Sequence, residues 1–118
     1  MRMDYDRSCT APVPEQLELN ADEFSRLINM ENITVIDVRE PGASYSPAEF
    51  SHIRIPYRQL QERLETIHGD TIITFCEHGI VSLKAARFLK EALGNKRRIY
   101  SLNKGISYLN QMHRNTLQ

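Results

Sequence analysis

The stretch Thr71-Ile72-Ile73-Thr74-Phe75-Cys76, continued by Glu77-His78-Gly79-Ile80-Val81, decides the fold that this chain is expected to adopt. Its first part is almost continuously apolar and β-branched, which is typical of a strand covered on both faces. We expect a helix to open at Ser82 and to end at Gly94. Its apolar stripe consists of Ala85, Ala86, Leu89, Ala92 and Leu93. A strand, a glycine-containing loop and a helix in this order are typical of a parallel α/β sheet.

The segments on either side continue the alternation of strands and helices. Leu17-Glu18-Leu19 predicts a short strand, Ile33 to Val38 a central strand, and Arg98 to Leu102 a later one. Asn20 precedes Glu23 by three residues, which is the pattern of a capping box at a helix start.

Two further helices are predicted from apolar residues at helical spacing. Tyr57, Leu60, Leu64 and Ile67 mark one of them, and Ile106, Leu109 and Met112 mark the other after a turn at Asn103-Lys104-Gly105. A long loop is expected between Arg39 and His52. The sequence thus predicts a single α/β domain with a mostly parallel sheet and helices on both faces.

The bulk composition limits the class of function. A chain of 118 residues with 41% hydrophobic residues suffices for one core. Fifteen basic residues balance fifteen acidic ones, so no overall field favours nucleic acid or an anionic membrane. The basic run Lys96-Arg97-Arg98 is interpreted as a solvated turn. No apolar stretch is long enough to cross a bilayer, and the sequence predicts a cytoplasmic protein.

The chain is divided into a tail or linker at residues 1–16, a domain at residues 17–113 and a short tail at residues 114–118. Cys9 is interpreted as a free thiol of the first tail.

No metal site or cofactor is predicted, because the four histidines stand at no ligand spacing with cysteine or acidic residues. These histidines are His52, His68, His78 and His113.

Cys76 is the candidate for chemistry, because ligands of open α/β folds gather at the carboxyl ends of the strands. The backbone N–H groups of the following loop and the start of the next helix would favour an anion such as a thiolate. The alternative is a cysteine packed as a small hydrophobic residue. Glu77 disfavours a second negative charge beside it, and His78 is a candidate to offset that effect.

Four segments resemble the rhodanese family. Ile36-Asp37-Val38-Arg39-Glu40-Pro41 resembles its "DVREP" segment, and Phe75 to Ser82 resembles its active-site loop. His52-Ile53-Arg54-Ile55-Pro56 is similar to a contracted "GHIPGAINIP", and Tyr100 to Ile106 resembles the closing "YxLxGGI". The resemblance runs from about Leu17 to about Met112 and implies a rhodanese-like fold with a five-stranded sheet.

The resemblance makes Cys76 the nucleophile that attacks sulfane sulfur, forming a persulfide. The backbone N–H groups of the loop would hold that group, and the residues concerned are Glu77, His78, Gly79, Ile80, Val81 and Ser82. Gly79 would permit the tight curl and Ser82 would cap the next helix. Asp37 and Arg39 would brace the loop from the neighbouring strand, and a structural ion pair or hydrogen bond explains them at least as well as contact with substrate does.

Val81 departs from the family pattern, since active rhodaneses usually carry arginine there to bind the sulfonate of thiosulfate. Thiosulfate is therefore expected to be a poor donor, and polysulfide or a protein persulfide a better one. Lys84 is expected to be a solvated helix residue. Related phosphatases need arginine where Ser82 stands, which disfavours that class.

Two hypotheses remain: a sulfurtransferase or persulfide carrier, and a degenerate domain acting as a binding or regulatory module.

The contracted segment at residues 52–56 and the linker before Leu17 are similar to rhodanese domains fused behind ThiF/MoeB-type adenylyltransferases. This likeness implies a partner for sulfur transfer, namely a ubiquitin-like sulfur carrier or a fused adenylyltransferase domain.

Overall fold

The computed structural model describes residues 17–42 and 50–110. The predictions for the tails at residues 1–16 and 114–118, for Cys9 and for Met112 fall outside these residues. Most of the loop expected between Arg39 and His52 does so as well.

Five parallel strands form one sheet in the described part of the chain. They are β1 (Glu18–Leu19), β2 (Ile33–Asp37), β3 (Ile53–Arg54), β4 (Thr71–Phe75) and β5 (Arg98–Leu102). The strand order is β1-β5-β4-β2-β3, and every neighbouring pair is parallel. All five residues of the central strand β4 are buried, as its apolar sequence predicted. The predicted five-stranded α/β fold is confirmed.

Helices cover both faces of this sheet. Helix α1 spans Ala21–Leu27, α2 spans Ile80–Leu93, and residues 105–110 form α3. The successive β4 residues Ile72 and Ile73 belong to different core clusters, because side chains alternate along a strand. The Ile72 cluster includes residues of α2, and the Ile73 cluster includes residues of α1 and α3.

The termini of the first two helices follow local sequence signals. Asn20 accepts a hydrogen bond from Glu23 N at 2.8 Å, and Glu23 accepts one from Asn20 N at 2.9 Å. The predicted capping box is confirmed. Gly94 ends α2 with φ +76°, as predicted. No helix within the described ranges is both long and apolar enough to span a membrane.

The prediction of a helix from Tyr57 to Ile67 is wrong. The segment forms two 3-10 turns, Tyr57–Gln59 and Leu64–Thr66, closed by bonds such as Leu60 N to Tyr57 O at 3.2 Å. Leu60 and Ile67 are nevertheless buried. Apolar residues three or four apart fit successive i→i+3 turns as well as an α-helix, so the spacing did not distinguish them.

The predicted apolar stripe of α2 is confirmed for Ala85, Ala86 and Leu89, which are fully buried. Ala92 is exposed, so its inclusion was wrong. Each residue turns the helix by about 100°, which places Ala92 to one side of the line from Leu89 to the half-buried Leu93.

Candidate functional site

Cys76 directly follows the central strand β4 and lies at the bottom of an open cavity. Only 5% of its surface is exposed, and the cavity has a volume of about 540 Å³. One wall consists of the loop residues Glu77, His78, Ile80 and Val81. The rest of the lining comes from the segments after β2 and β3 and consists of Val38, Arg39, Glu40, Tyr57 and Arg58. The cysteine therefore lies where the parallel strands end, as the sequence predicted.

Two backbone N–H groups point at the sulfur of Cys76. Gly79 N lies 3.1 Å and Ser82 N lies 3.3 Å from Sγ, and Ser82 Oγ lies 3.4 Å from it. The first N–H groups of an α-helix have no partner within the helix, which leaves Ser82 N available to the sulfur. Hydrogen bonds donated to a sulfur atom favour its negatively charged form.

Gly79, and not Ser82, caps the start of helix α2, whose first residue is Ile80. Gly79 is the N-cap with φ +93°, a backbone conformation that residues with a side chain rarely adopt. A Cβ atom at this position would lie 2.8 Å from Lys104 N. The predictions that the helix opens at Ser82 and that Ser82 caps it are wrong, because the glycine turn brings the helix start closer to Cys76.

Ser82 instead faces inward as the third residue of α2. It is fully buried, and its Oγ lies 2.7 Å from Oγ of Ser101 on β5. Thr74 Oγ1 donates a hydrogen bond to Ser82 O at 2.8 Å. Two neighbouring strands thus fix both the backbone and the hydroxyl of Ser82 beneath the cysteine.

The start of α3 supports the Cys76 loop from behind. Ile106 N donates to Cys76 O at 2.9 Å, and Ser107 N donates to Glu77 O at 3.1 Å. Gly105 has φ +74°, and a Cβ there would overlap Glu77 O and lie 2.6 Å from His78 N. The sequence analysis treated Gly105 only as a turn residue. Its place in the segment that resembles "YxLxGGI" was the one sequence signal that Gly105 packs against the Cys76 loop.

Asp37 and Arg39 connect strand β2 to the loop. Arg39 Nε and Nη2 each lie 3.0 Å from a carboxylate oxygen of Asp37, and Nη1 lies 3.1 Å from Glu77 Oε1. Arg54, which the sequence analysis did not select, also binds Asp37, at 2.8 Å. Arg39 therefore pairs the negative charge of Glu77, the residue that follows Cys76.

Burial alone would raise the pKa of Asp37, but hydrogen bonds from Arg39 and Arg54 outweigh it and hold this pKa below its usual value. Burial likewise opposes the charge of Arg39, and the bonds to Asp37 and Glu77 raise the pKa of Arg39 above its ordinary value. Both groups are thus charged. Asp37 is fully buried and lies behind Arg39, which itself lines the cavity.

The mouth of the cavity is largely apolar. Ile80 is 69% exposed, and Val81 and Tyr57 are each 39% exposed. Arg58 also lines the cavity, but its Nε lies 3.1 Å from Glu40 Oε1. Lys84 is an exposed residue of α2. The sequence analysis missed Tyr57 and Arg58, because β3 brings their segment to the cavity only through the long-range pairing of β3 with β2.

The profile of the family described as "Rhodanese-like domain" matches residues 20–111. The chain belongs to this family. The rhodanese-like domain is similar in structure to a rhodanese-related protein from Thermoplasma volcanium, with a TM-score of 0.68 and 28% identity. That likeness covers 81% of this chain and 92% of the other. None of the curated proteins compared with the chain matches it.

Two larger proteins contain a similar domain. A NAD-dependent persulfide reductase from A. fulgidus is 29% identical with a TM-score of 0.60, over 79% of this chain and 16% of that one. The reduced CoADR-RHD of Bacillus anthracis is 24% identical with a TM-score of 0.72, over 85% and 17%. The chain spans less than a fifth of either protein, and the second likeness shows the fold alone.

Proposed function

We propose that this rhodanese-like domain is a sulfurtransferase or persulfide carrier in which Cys76 accepts sulfane sulfur and passes it to a thiol or protein acceptor. The observation that carries the proposal is the pair of N–H groups, of Gly79 and Ser82, that point at Sγ of Cys76 at the bottom of an open cavity. Hydrogen bonds of this kind favour the thiolate, which is the nucleophilic form of cysteine.

The proposed transfer needs no external oxidant. The Cys76 thiolate attacks the outer sulfur of a donor R–S–SH, so that a bond between Sγ and this sulfur forms while the S–S bond of the donor breaks. The donor leaves as the thiolate R–S⁻, and the outer S–H of the new persulfide loses its proton to water. An acceptor thiolate then attacks the outer sulfur in the same way, and Cys76 returns to the thiolate.

The charge distribution of the cavity supports a donor without a sulfonate group. Val81 offers neither charge nor a side-chain donor at the place where active rhodaneses usually carry arginine. The two arginines in the cavity lining, Arg39 and Arg58, are each paired with carboxylates. Strong binding of an oxyanion requires such charge-assisted hydrogen bonds to be available. We therefore assign polysulfide or a protein persulfide as the donor and expect thiosulfate to be poor.

The exposed apolar rim supports an acceptor that brings its own contact surface. Ile80, Val81 and Tyr57 are all exposed and all line the cavity. A ubiquitin-like sulfur carrier, or an adenylyltransferase domain in the same chain, is the partner that the contracted segment at residues 52–56 suggests, and the step written above applies where that partner presents a thiol. We place this reaction in the cytoplasm, because the chain has two cysteines far apart in sequence and no disulfide-rich pattern.

A second candidate function is a binding or regulatory module without transfer activity. The observation that favours it is the combination of Val81 with a cysteine that is 5% exposed. A buried cysteine with this low exposure is also typical of a packing residue. The two candidates differ in one property, since only the carrier requires Cys76 to gain and lose sulfur.

Intact-mass spectrometry of the reduced protein, exposed separately to polysulfide and to thiosulfate, tests the proposal. A Cys9→Ser variant isolates Cys76, and Cys76→Ser is the matched control. We expect one sulfur adduct on the Cys9→Ser variant with polysulfide, much less with thiosulfate, and none on Cys76→Ser above the level of an ordinary thiol. An equal adduct on both variants would support the binding module instead.

A further inference from the structure

Two buried hydroxyl groups form a chain that ends at the sulfur of Cys76. Ser82 and Ser101 are both fully buried, their Oγ atoms lie 2.7 Å apart, and Ser82 Oγ lies 3.4 Å from Sγ. Ser101 lies on β5, directly beside Thr74 of β4. We propose that Ser101 is a positioning residue that stabilises the Cys76 thiolate through the hydroxyl of Ser82. This inference rests on the proposed function of Cys76.

The direction of the hydroxyl chain depends on whether the sulfur donates a hydrogen bond to Ser82 or accepts one from it, and a thiolate can only accept. With a protonated thiol, the S–H of Cys76 donates to Ser82 Oγ, and the Ser82 hydroxyl donates to Ser101 Oγ. When the thiol loses its proton to water, the Ser82 hydroxyl turns to donate to the sulfur. The Ser101 hydroxyl then donates to Ser82. Each proton stays on its own oxygen, because a hydroxyl both donates and accepts and only rotates between these arrangements.

The burial of Ser101 gives the chain a preferred direction. Within residues 17–42 and 50–110, the hydrogen-bond partner of Ser101 Oγ is Ser82 Oγ. In the thiol arrangement the Ser101 hydrogen has no acceptor in this part of the chain, and a buried unpaired donor costs free energy. In the thiolate arrangement Ser82 accepts it, and both hydroxyl hydrogens are paired. Ser101 thereby favours the ionised cysteine that it does not touch.

The pH profile of Cys76 alkylation by iodoacetamide, measured in the Cys9→Ser background, tests this role. We expect Ser101→Ala to move the midpoint of the profile to higher pH and to lower the alkylation rate at neutral pH about fivefold, the effect of one hydrogen bond. Ser101→Thr retains the hydroxyl and should restore the profile. Ser82→Ala should shift the profile at least as far as Ser101→Ala.

A double-mutant cycle separates action through Ser82 from general loosening of the fold. Adding Ser101→Ala to Ser82→Ala should produce no further shift, because the chain is already broken. The matched control is Thr34→Val, which removes a hydroxyl that donates to His68 O at the opposite end of the sheet from Cys76. It should lower the melting temperature without moving the profile.

The inference is overturned if Ser101→Ala leaves the profile unchanged, or if it shifts the profile equally with and without Ser82. Alkylation requires no sulfur donor, so these measurements remain informative even if Cys76 takes up no sulfur. If Cys76 takes up no sulfur, the proposed function is overturned. The alkylation data then still decide whether Ser101 acts on Cys76.

Discussion

Nη1 of Arg39 lies 3.1 Å from Oε1 of Glu77, so that a guanidinium held by β2 restrains the residue after the proposed nucleophile. The same guanidinium binds the fully buried carboxylate of Asp37. The arrangement couples a core ion pair to the loop that carries Cys76. It also explains how a carboxylate is accommodated beside the proposed nucleophile, because Arg39 compensates its charge.

Replacing Arg39 should destabilise the fold strongly. Arg39→Ala leaves the buried Asp37 with Arg54 as its remaining cationic partner, and breaking a buried pair costs about 3–5 kcal/mol. Urea denaturation measures the change in the free energy of unfolding. The control is Arg58→Ala, whose exposed pair with Glu40 is worth about 1 kcal/mol or less. Equal losses for the two variants would contradict the assigned role of Arg39.

The lowered pKa of Asp37 makes the stability depend on acidity in a defined direction. The ionised carboxylate stabilises the fold fully above the unfolded-state pKa, near 3.8, and this contribution is lost as the pH falls through the lower folded-state pKa. We expect the free energy of unfolding to drop as the pH falls below about 4, and Asp37→Asn to show a smaller drop. Urea titrations across this range measure both. A variant as acid-sensitive as the natural protein would refute the assignment.

An arginine at position 81 should confer use of thiosulfate. Val81→Arg places a guanidinium at the cavity wall, where it can bind the sulfonate through paired charge-assisted hydrogen bonds. We expect the rate of sulfur uptake from thiosulfate to rise by about tenfold or more, with little change for polysulfide. Lys84→Ala is the control and should leave both rates unchanged. A rate with thiosulfate that stays low in Val81→Arg would mean that another feature of the cavity excludes this donor.

Gly105→Ala should disturb the Cys76 loop. The added Cβ would overlap the backbone of Glu77 and His78, and Gly105 already has a positive φ. We expect a loss of about 2 kcal/mol or more in the free energy of unfolding and slower sulfur uptake by Cys76. Gly42→Ala is the matched control, because its Cβ would meet no atom of residues 17–42 and 50–110 within 4 Å. The proposed support from α3 is wrong if both variants behave like the natural protein.

Local patterns predicted the parts of the fold that depend on neighbouring residues. The β-branched segments became strands, and Asn20 with Glu23 formed the capping box, because period and capping are properties of a few adjacent residues. The start of α2 was predicted wrongly because that prediction also relied on adjacent residues alone. Serine is a common N-cap, whereas glycine is required at residue 79 because a Cβ there would lie 2.8 Å from Lys104 N, far along the chain.

The position of Cys76 at the end of a central strand was predictable, but its surroundings were not. The hydroxyl pair joins residues 19 apart in sequence, and the Arg39–Glu77 pair joins residues 38 apart. Such contacts follow from the strand order, which brings β5, β4 and β2 side by side. Arg39 was selected because its segment resembles the "DVREP" segment of the family. Ser101, in contrast, carries no local sequence signal of its role.

The most direct test of the account is a single-turnover transfer from Cys76. The Cys9→Ser variant is treated with polysulfide, freed of donor and mixed with cyanide, which removes the outer sulfur as thiocyanate and leaves the Cys76 thiolate. We predict one thiocyanate for each domain and none above background from Cys76→Ser. Equal thiocyanate from the two variants, or none from either, would contradict a persulfide carrier and leave the binding module as the function of this domain.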